Sequence, residues 1–270
     1  MKTYVLYHRD ADGFCAAWVF SKIFPDALFI DVQYGEDPPE ELFTMNASAN
    51  TFIVDFSYPK EVLQEMSTYS PITVLDHHKS AEEELKGLPY CIFDMSRAGC
   101  RMAFDYWKER GHIPDVAEVI VDYVQDHDLW KFELPYSREV RAAIASYPFE
   151  FEVWDNFKID KLIDEGTAIL RFKNQMIERH KENAVLIDFC GYKVPMVRTP
   201  DGTITSELCG ELAEGYPFAI AYFDITDSSG NIYRVHSLRS RGTFDVSEIA
   251  KRFGGGGHAK AAGFKIPMPK

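Results

Sequence analysis

Short apolar runs alternate with helical patterns through the first half of the chain. Thr3–Tyr7, Leu28–Val32, Thr51–Val54, Ile72–Leu75 and Tyr90–Phe93 are rich in β-branched and aromatic residues. Each spans only a few residues, as buried parallel strands do. Between them, Phe14–Phe24, Pro59–Ser67, Ala81–Leu85, Ala98–Glu109 and Asp115–Val124 read as helices. Strand–helix alternation of this kind predicts a parallel α/β sheet.

The middle of the chain changes character. Tyr136–Trp154 is rich in aromatics, is preceded by Pro135 and contains Pro148, and reads as a connection or insertion. From Ile159 to Leu186 the pattern predicts one long helix, with Leu162, Ile169, Phe172 and Met176 at helical spacing. A second α/β unit follows: strands over Tyr192–Val197, Phe218–Phe223 and Ile232–Leu238, and helices over Thr205–Ala213 and Asp245–Phe253. The expected architecture is therefore α/β throughout. A parallel-sheet domain spans residues 1–150, a connecting segment with the long helix spans 151–186, and a smaller α/β domain spans 187–270.

Composition narrows the class. The 270 residues are 46% hydrophobic and 26% charged, the range of a globular protein. No apolar run reaches the length of a membrane span, and the first residues lack the apolar core of a signal peptide. The five cysteines (Cys15, Cys91, Cys100, Cys190 and Cys209) are scattered and show no C-x-x-C spacing, which suits thiols in a reducing, cytoplasmic compartment. With 29 Lys+Arg against 42 Asp+Glu the net charge is −13, which argues against a duplex-DNA binder. A small anionic substrate stays open, because a local site can oppose the global field.

The placement of acids and histidines points to chemistry. His8, Asp10 and Asp12 follow the first strand, Asp55 ends the third, and Asp76-His77-His78 ends the fourth. Ligands of open parallel sheets bind beyond the carboxyl ends of the strands. Three strands thus deliver carboxylate or imidazole to one edge, where the repulsion calls for a cation. Mixed His and Asp ligands suit Mn²⁺, Zn²⁺ or Fe²⁺ better than Ca²⁺. Each residue alone has an ordinary reading, since an Asp after a strand is usually a turn or cap residue. The conjunction outweighs those readings.

Two further segments stand out. Asp126-His127-Asp128-Leu129-Trp130 places acids near a helix C-terminus, where the helix dipole disfavours them. That misfit suggests a role, against the plainer reading of a solvated turn. Trp130, Phe132 and Tyr136 follow, and they could stack on a base or belong to the core or a domain interface. Near the end, Gly254-Gly255-Gly256-Gly257-His258 stands between a helix and an apolar segment, in a locally basic stretch that includes Arg239 and Arg241. Consecutive glycine N–H groups can form an anion-binding nest; a flexible turn is the plainer alternative.

Together these motifs resemble the DHH phosphoesterase superfamily, in its form with the DHH-associated C-terminal domain. His8-x-Asp10-x-Asp12-Gly13, Asp55, Asp76-His77-His78 and Gly254-Gly255-Gly256-Gly257-His258 occur in family order across nearly the whole chain. Ser96-Arg97-Ala98-Gly99-Cys100 is similar to the family's small-residue helix opening. A single residue between His8 and Asp10 resembles the nano-RNase and oligoribonuclease branch.

The resemblance implies two divalent ions, of Mn²⁺ type. His8 and Asp10 would hold one, Asp12, His77 and the fourth-motif acid (Asp126 or Asp128, Asp126 preferred) the other, and Asp55 would bridge them. Asp76 would orient a histidine and His78 would contact the scissile phosphate. Arg239, Arg241 and the loop of Gly254, Gly255, Gly256, Gly257 and His258 would bind the rest of the substrate. The implied activity is hydrolysis of short oligonucleotides (nanoRNA, dinucleotides) to mononucleotides by metal-activated water. The alternative is a 3′-phosphoadenosine 5′-phosphate phosphatase or a phosphodiesterase for cyclic or linear dinucleotides. The implied partner is a short single-stranded nucleic acid or nucleotide, with neither duplex DNA nor membrane; a homodimer stays open.

Overall fold

Five short strands form the first sheet of the computed structural model, which describes residues 2–44, 49–112 and 114–269. They are β1 (Lys2–His8), β2 (Leu28–Val32), β3 (Ala49–Val54), β4 (Ile72–Asp76) and β5 (Cys91–Phe93). All pair in parallel, in the order β2-β1-β3-β4-β5. Helices α1 (Ala11–Ser21), α2 (Lys60–Met66), α3 (Lys79–Glu84), α4 (Gly99–Lys108) and α5 (Glu118–Asp128) follow the strands. This is the α/β alternation expected from the sequence.

Strand side chains alternate between two cores. Phe52 and Val54 of β3 face the cluster that holds Phe14, Trp18, Phe104 and Ile120, whereas Ile53 faces Leu63 and Met66 of α2. Both faces are dry, which is why the strands read as apolar runs rather than as alternating ones. Helix α1 is buried from Asp12 to Phe20. Its fully covered aromatic and aliphatic side chains each contribute about 1.5–3 kcal/mol.

The segment expected to be a connection or insertion contains two helices, α6 (Ser137–Ile144) and α7 (Phe151–Trp154). Val140, Ala143, Ile144 and Trp154 are buried in the first core. The flanking Pro135 and Pro148 and the brevity of these helices hide their periodicity. The Trp18 indole N–H donates to Asp155 just beyond α7, at 2.7 Å.

The long helix α8 runs from Ile159 to Lys181, shorter than the expected span to Leu186. Val185 and Leu186 instead open a strand, β6 (Val185–Phe189), whose ladder with β7 (Tyr192–Arg198) takes over their backbone hydrogen bonds. Packing divides the chain within α8, into Met1–Ile169 and Leu170–Lys270.

The second unit carries a six-stranded sheet in the order β10-β11-β9-β8-β7-β6. Its further strands are β8 (Ala219–Thr226), β9 (Ile232–Arg239), β10 (Gly256–His258) and β11 (Ala261–Pro267). Only the β7–β8 pair is parallel among these ladders. Helix α9 (Thr205–Leu212) packs on one face through Leu208 and Cys209, and α10 (Val246–Arg252) on the other through Val246 and Ile249. All five cysteines are free. No helix among the described residues is long and apolar enough to cross a membrane.

The turn from β1 into α1 sets the edge on which the acids stand. Asp10 caps α1 by accepting from the Gly13 N–H at 2.9 Å. A Cβ on Gly13 would lie 2.2 Å from the His8 carbonyl oxygen, a backbone atom that cannot swing aside. Gly13→Ala is therefore expected to lower stability by about 1–3 kcal/mol through overpacking. Denaturant unfolding checks this, and a variant as stable as the parent would contradict the close approach.

Candidate metal centre

Strands β1, β3 and β4 end side by side, and each delivers its acids and histidines to the carboxyl edge of the sheet. Three groups of side chains there each bring ligand atoms within 4.8 Å of one another: His8, Asp10 and Asp55; Asp12, His77 and Asp128; and Asp55, His77 and His78. Asp55 and His77 each occur in two groups and share one of them, with Asp55 Oδ1 3.1 Å from His77 Nε2. Asp12 Oδ2 and Asp128 Oδ2 lie 3.7 and 3.5 Å from the same nitrogen.

Asp55 occupies an unusual backbone position. Its φ is 56°, the left-handed region that costs a non-glycine residue of order 1–3 kcal/mol and persists only where surroundings enforce it. Gly99 at the start of α4 makes room, since a Cβ there would lie 2.4 Å from the Asp55 Cβ. The same helix start donates Gly99 N–H to Asp12 Oδ2 at 2.6 Å and Cys100 N–H to Asp12 Oδ1 at 2.9 Å. A carboxylate suits that position because it answers the helix dipole. The small-residue opening at Ser96–Cys100 thus serves both Asp55 and Asp12. Arg97 turns to Asp94 and Asp105.

The electrostatics call for positive charge. Burial, followed by Asp12 and Asp10, pushes the Asp55 carboxyl well above the usual carboxylate range. Burial and the same two acids push Asp128 up to about 7. Burial lowers His77, which favours the neutral imidazole that a metal requires. His8 Nδ1 lies 2.9 Å from Asp10 Oδ2, yet off the line of a ring N–H bond. That nitrogen and Asp55 Oδ2 are both buried without a hydrogen-bond partner. Buried polar atoms are nearly always satisfied. A divalent cation held by His8, Asp10 and Asp55 would satisfy both at once, so these residues fit a metal.

Asp76 does a different job. It is fully buried; Oδ2 accepts from the Ser57 hydroxyl at 2.5 Å, and Oδ1 from the His77 and His78 N–H groups. Asp76 Oδ1 also meets His78 Nδ1 at 2.7 Å, which raises the His78 imidazole and fixes its ring. Burial works to raise Asp76 itself, but the bonds from His78 and Ser57 hold it below the usual range.

The structure brings Asp128, not the preferred Asp126, next to His77. The Asp126 carboxylate is turned into the following loop, where Oδ1 accepts from Glu133 N–H at 2.9 Å and Oδ2 from Leu134 N–H at 3.4 Å. Two residues apart on a helix, the two acids point about 200° apart, so only one can face the sheet edge.

The second-unit candidates stand apart from this cluster in the chain. Arg239 donates to the Ser206 hydroxyl and Arg241 to the Gly210 carbonyl. The glycine run does not form a nest from its first residues. Gly254, at φ 75°, ends α10, its N–H donating to Lys251 O while the Gly255 N–H donates to Ala250 O. This is a Schellman closure, which uses both amides to satisfy the helix carbonyls. Gly256 to His258 then form the edge strand β10, exposed to solvent. A Cβ on Gly255 or Gly257 would strike the backbone of β11, whereas Gly256 has open space.

A parallel sheet whose carboxyl edge gathers buried His and Asp ligands, followed by a mixed-sheet unit with a glycine-rich edge, defines a two-unit α/β protein with a candidate metal centre in its first unit. Residues 2–125 match the DHH family, N-terminal domain, and residues 192–270 match the DHHA1 domain. The chain belongs to the DHH phosphoesterase superfamily, in the form that carries the DHHA1 domain. It is 29% identical over 96% of its length to an uncharacterised protein of Acanthamoeba polyphaga mimivirus, of whose length it spans 66%. Against the oligoribonuclease NrnB of Bacillus subtilis the identity is 26%, over 97% of this chain and 73% of that protein. Against a 3′,5′-cyclic-nucleotide phosphodiesterase of Helicobacter pylori it is 22%, over 98% and 93%. The fold is shared with RecJ of Thermus thermophilus in complex with Mn²⁺, at a TM-score of 0.55 and 16% identity, over 98% of this chain and 49% of RecJ.

The contrast between neighbouring acids gives a test. Asp128→Ala is expected to weaken Mn²⁺ binding by about tenfold or more while melting near the parent. Asp126→Ala should keep metal binding but lose about 1–3 kcal/mol, because two loop N–H groups lose their acceptor. Calorimetric metal titration and thermal melting of both variants check this; reversed phenotypes would restore Asp126 as the ligand.

Proposed function

We propose that the chain is a metal-dependent phosphodiesterase that hydrolyses short oligonucleotides, such as nanoRNA and dinucleotides, to mononucleotides. In this reading it works in the cytoplasm with two divalent ions of Mn²⁺ type. The observation that carries the proposal is that His8 Nδ1 and Asp55 Oδ2, 3.8 Å apart amid converging acids, are both buried without a hydrogen-bond partner. One ion would be held by His8, Asp10 and Asp55, and the other by Asp12, His77 and Asp128, with Asp55 between them. The similarity to oligoribonuclease NrnB and the Mn²⁺ in the RecJ structure support the substrate class and the metal.

Bound divalent ions supply Lewis acidity and make water a stronger acid. The chain's own residues place the phosphate and complete the charge balance. Asp76 holds His78 through Nδ1, which leaves Nε2 as the free ring nitrogen. A protonated His78 then donates from Nε2 to a phosphoryl oxygen as negative charge grows there. Ser57 fixes Asp76 in turn, so the donor is oriented before substrate arrives. In the second unit, Arg239, Arg241 and His258 are the candidates to grip a further phosphate or base. Gly256, with open space around it, lets a ligand approach the backbone closely.

Product analysis tests the proposal. Short 5′-phosphorylated RNA should release mononucleotides with Mn²⁺ and none with EDTA. Asp55→Ala should lower the rate by at least about 100-fold, and His78→Gln by about 100-fold or more. An Asp55→Ala rate equal to the parent's at saturating Mn²⁺ would sink the mechanism. Cleavage confined to cyclic nucleotides or 3′-phosphoadenosine 5′-phosphate would keep the metal site and move the substrate.

A further inference from the structure

Beyond Asp128 the chain does something costly that neither packing nor metal binding accounts for. Trp130, Phe132 and Tyr136 all adopt left-handed backbone, at φ 58°, 54° and 57°. Bulky residues rarely take this conformation, and glycine would take it at less cost. Asp126 enforces it. Its backbone carbonyl accepts from the Lys131 and Phe132 N–H groups, and its carboxylate from those of Glu133 and Leu134. The Tyr123 hydroxyl ties down the Pro135 carbonyl at 2.7 Å. The loop is therefore rigid and strained, a combination that marks functional positions.

What the strain achieves is display of an indole. Trp130 is 70% exposed, whereas Trp18, Trp107 and Trp154 are buried at 1%, 8% and 1%. Its ring meets two others. Phe132 lies 4.9 Å away at 72°, and His127 5.6 Å away at 63°. The Arg138 guanidinium sits 4.2 Å over the Phe132 ring. The loop leaves the acidic cluster directly, because Asp128, 3.5 Å from His77 Nε2, lies two residues before Trp130. Chain geometry keeps the Cα atoms of Asp128 and Trp130 within about 7 Å of each other.

We propose that Trp130, backed by Phe132 and Arg138, is a stacking platform for the nucleobase adjoining the phosphate at the metal cluster. The ligand class is a nucleotide with an intact base. Stacking reads a flat π-face rather than hydrogen-bond donors, so the platform accepts any base. It adds binding energy without touching the reacting atoms. Trp130 is thus a positioning residue, and its removal raises KM rather than lowering kcat. This inference rests on the proposed nucleotide phosphodiesterase activity.

The test separates the two. Because Trp130 is the one exposed residue of the four tryptophans, the long-wavelength edge of intrinsic fluorescence reports on it. With the Mg²⁺-loaded full chain, adenosine 5′-monophosphate should quench that emission saturably, and ribose 5-phosphate should not. Trp130→Gly should abolish the quenching yet melt at or above the parent, since glycine takes positive φ without strain. Its KM for a 5′-phosphorylated dinucleotide should rise by about fivefold or more, with kcat nearly unchanged. Trp130→Tyr should restore most of the loss, and an analogue lacking the base should be cleaved equally by parent and variant. Equal quenching by ribose 5-phosphate, or an unchanged KM in Trp130→Gly, overturns the platform and leaves the activity intact. A Trp130→Gly chain that changes oligomeric mass also overturns it, and assigns the indole to a second copy of the chain. If the parent cleaves no nucleotide, the activity fails; base-dependent quenching lost in Trp130→Gly then still supports the platform, and its absence overturns it.

Discussion

A carboxylate buried at the end of a strand, among other carboxylates, is the constraint around which the first unit is arranged. An isolated buried charge is strongly unfavourable, and a protein normally avoids it by neutralising the group or pairing it. Asp55 does neither fully: one oxygen meets His77 and the other is buried without a partner. Its left-handed backbone, the glycine opposite it at position 99 and the helix start that holds Asp12 all preserve this arrangement. The chain has built repulsion into the buried edge of its first sheet, and a cation bound by the ligand atoms already gathered there would relieve it.

A division of labour separates the two acids on α5. Asp126 and Asp128 stand two residues apart and do unrelated work. Asp128 turns toward the sheet edge, where burial and its neighbours push it up to about 7. Asp126 turns the other way and organises the loop that displays Trp130. An acid near a helix C-terminus opposes the dipole. Here each has a compensating contact, one against the histidine of the cluster and one against the amides of a strained loop.

In the second unit the glycine run serves backbone geometry before any ligand. Gly254 reverses the chain after α10 at positive φ, and Gly255 and Gly257 pass against β11 where no Cβ fits. Gly256 has neither a positive φ nor a close neighbour. Glycine at three of the four positions is thus favoured by the fold alone. The fourth, on an exposed edge strand, is where a functional demand can be isolated.

The sequence by itself determined the class of fold and most of the acidic edge. Period and strand length are local properties, and a parallel sheet places its strand ends together whatever the order of the strands. His8, Asp10, Asp12, Asp55, His77 and His78 could therefore be assembled on one edge from the ends of three apolar runs. What only the tertiary structure decided was direction and competition. Whether Asp126 or Asp128 faces His77 depends on the rotation of α5 about its axis, which is set by the packing of Ile120 and Val124 into the first core. Whether Val185 and Leu186 extend a helix or start a strand depends on a ladder with β7 that no local pattern shows. Whether Trp130 is core or surface depends on a left-handed turn held by Asp126, an acid whose hydrogen-bond partners lie further along the chain.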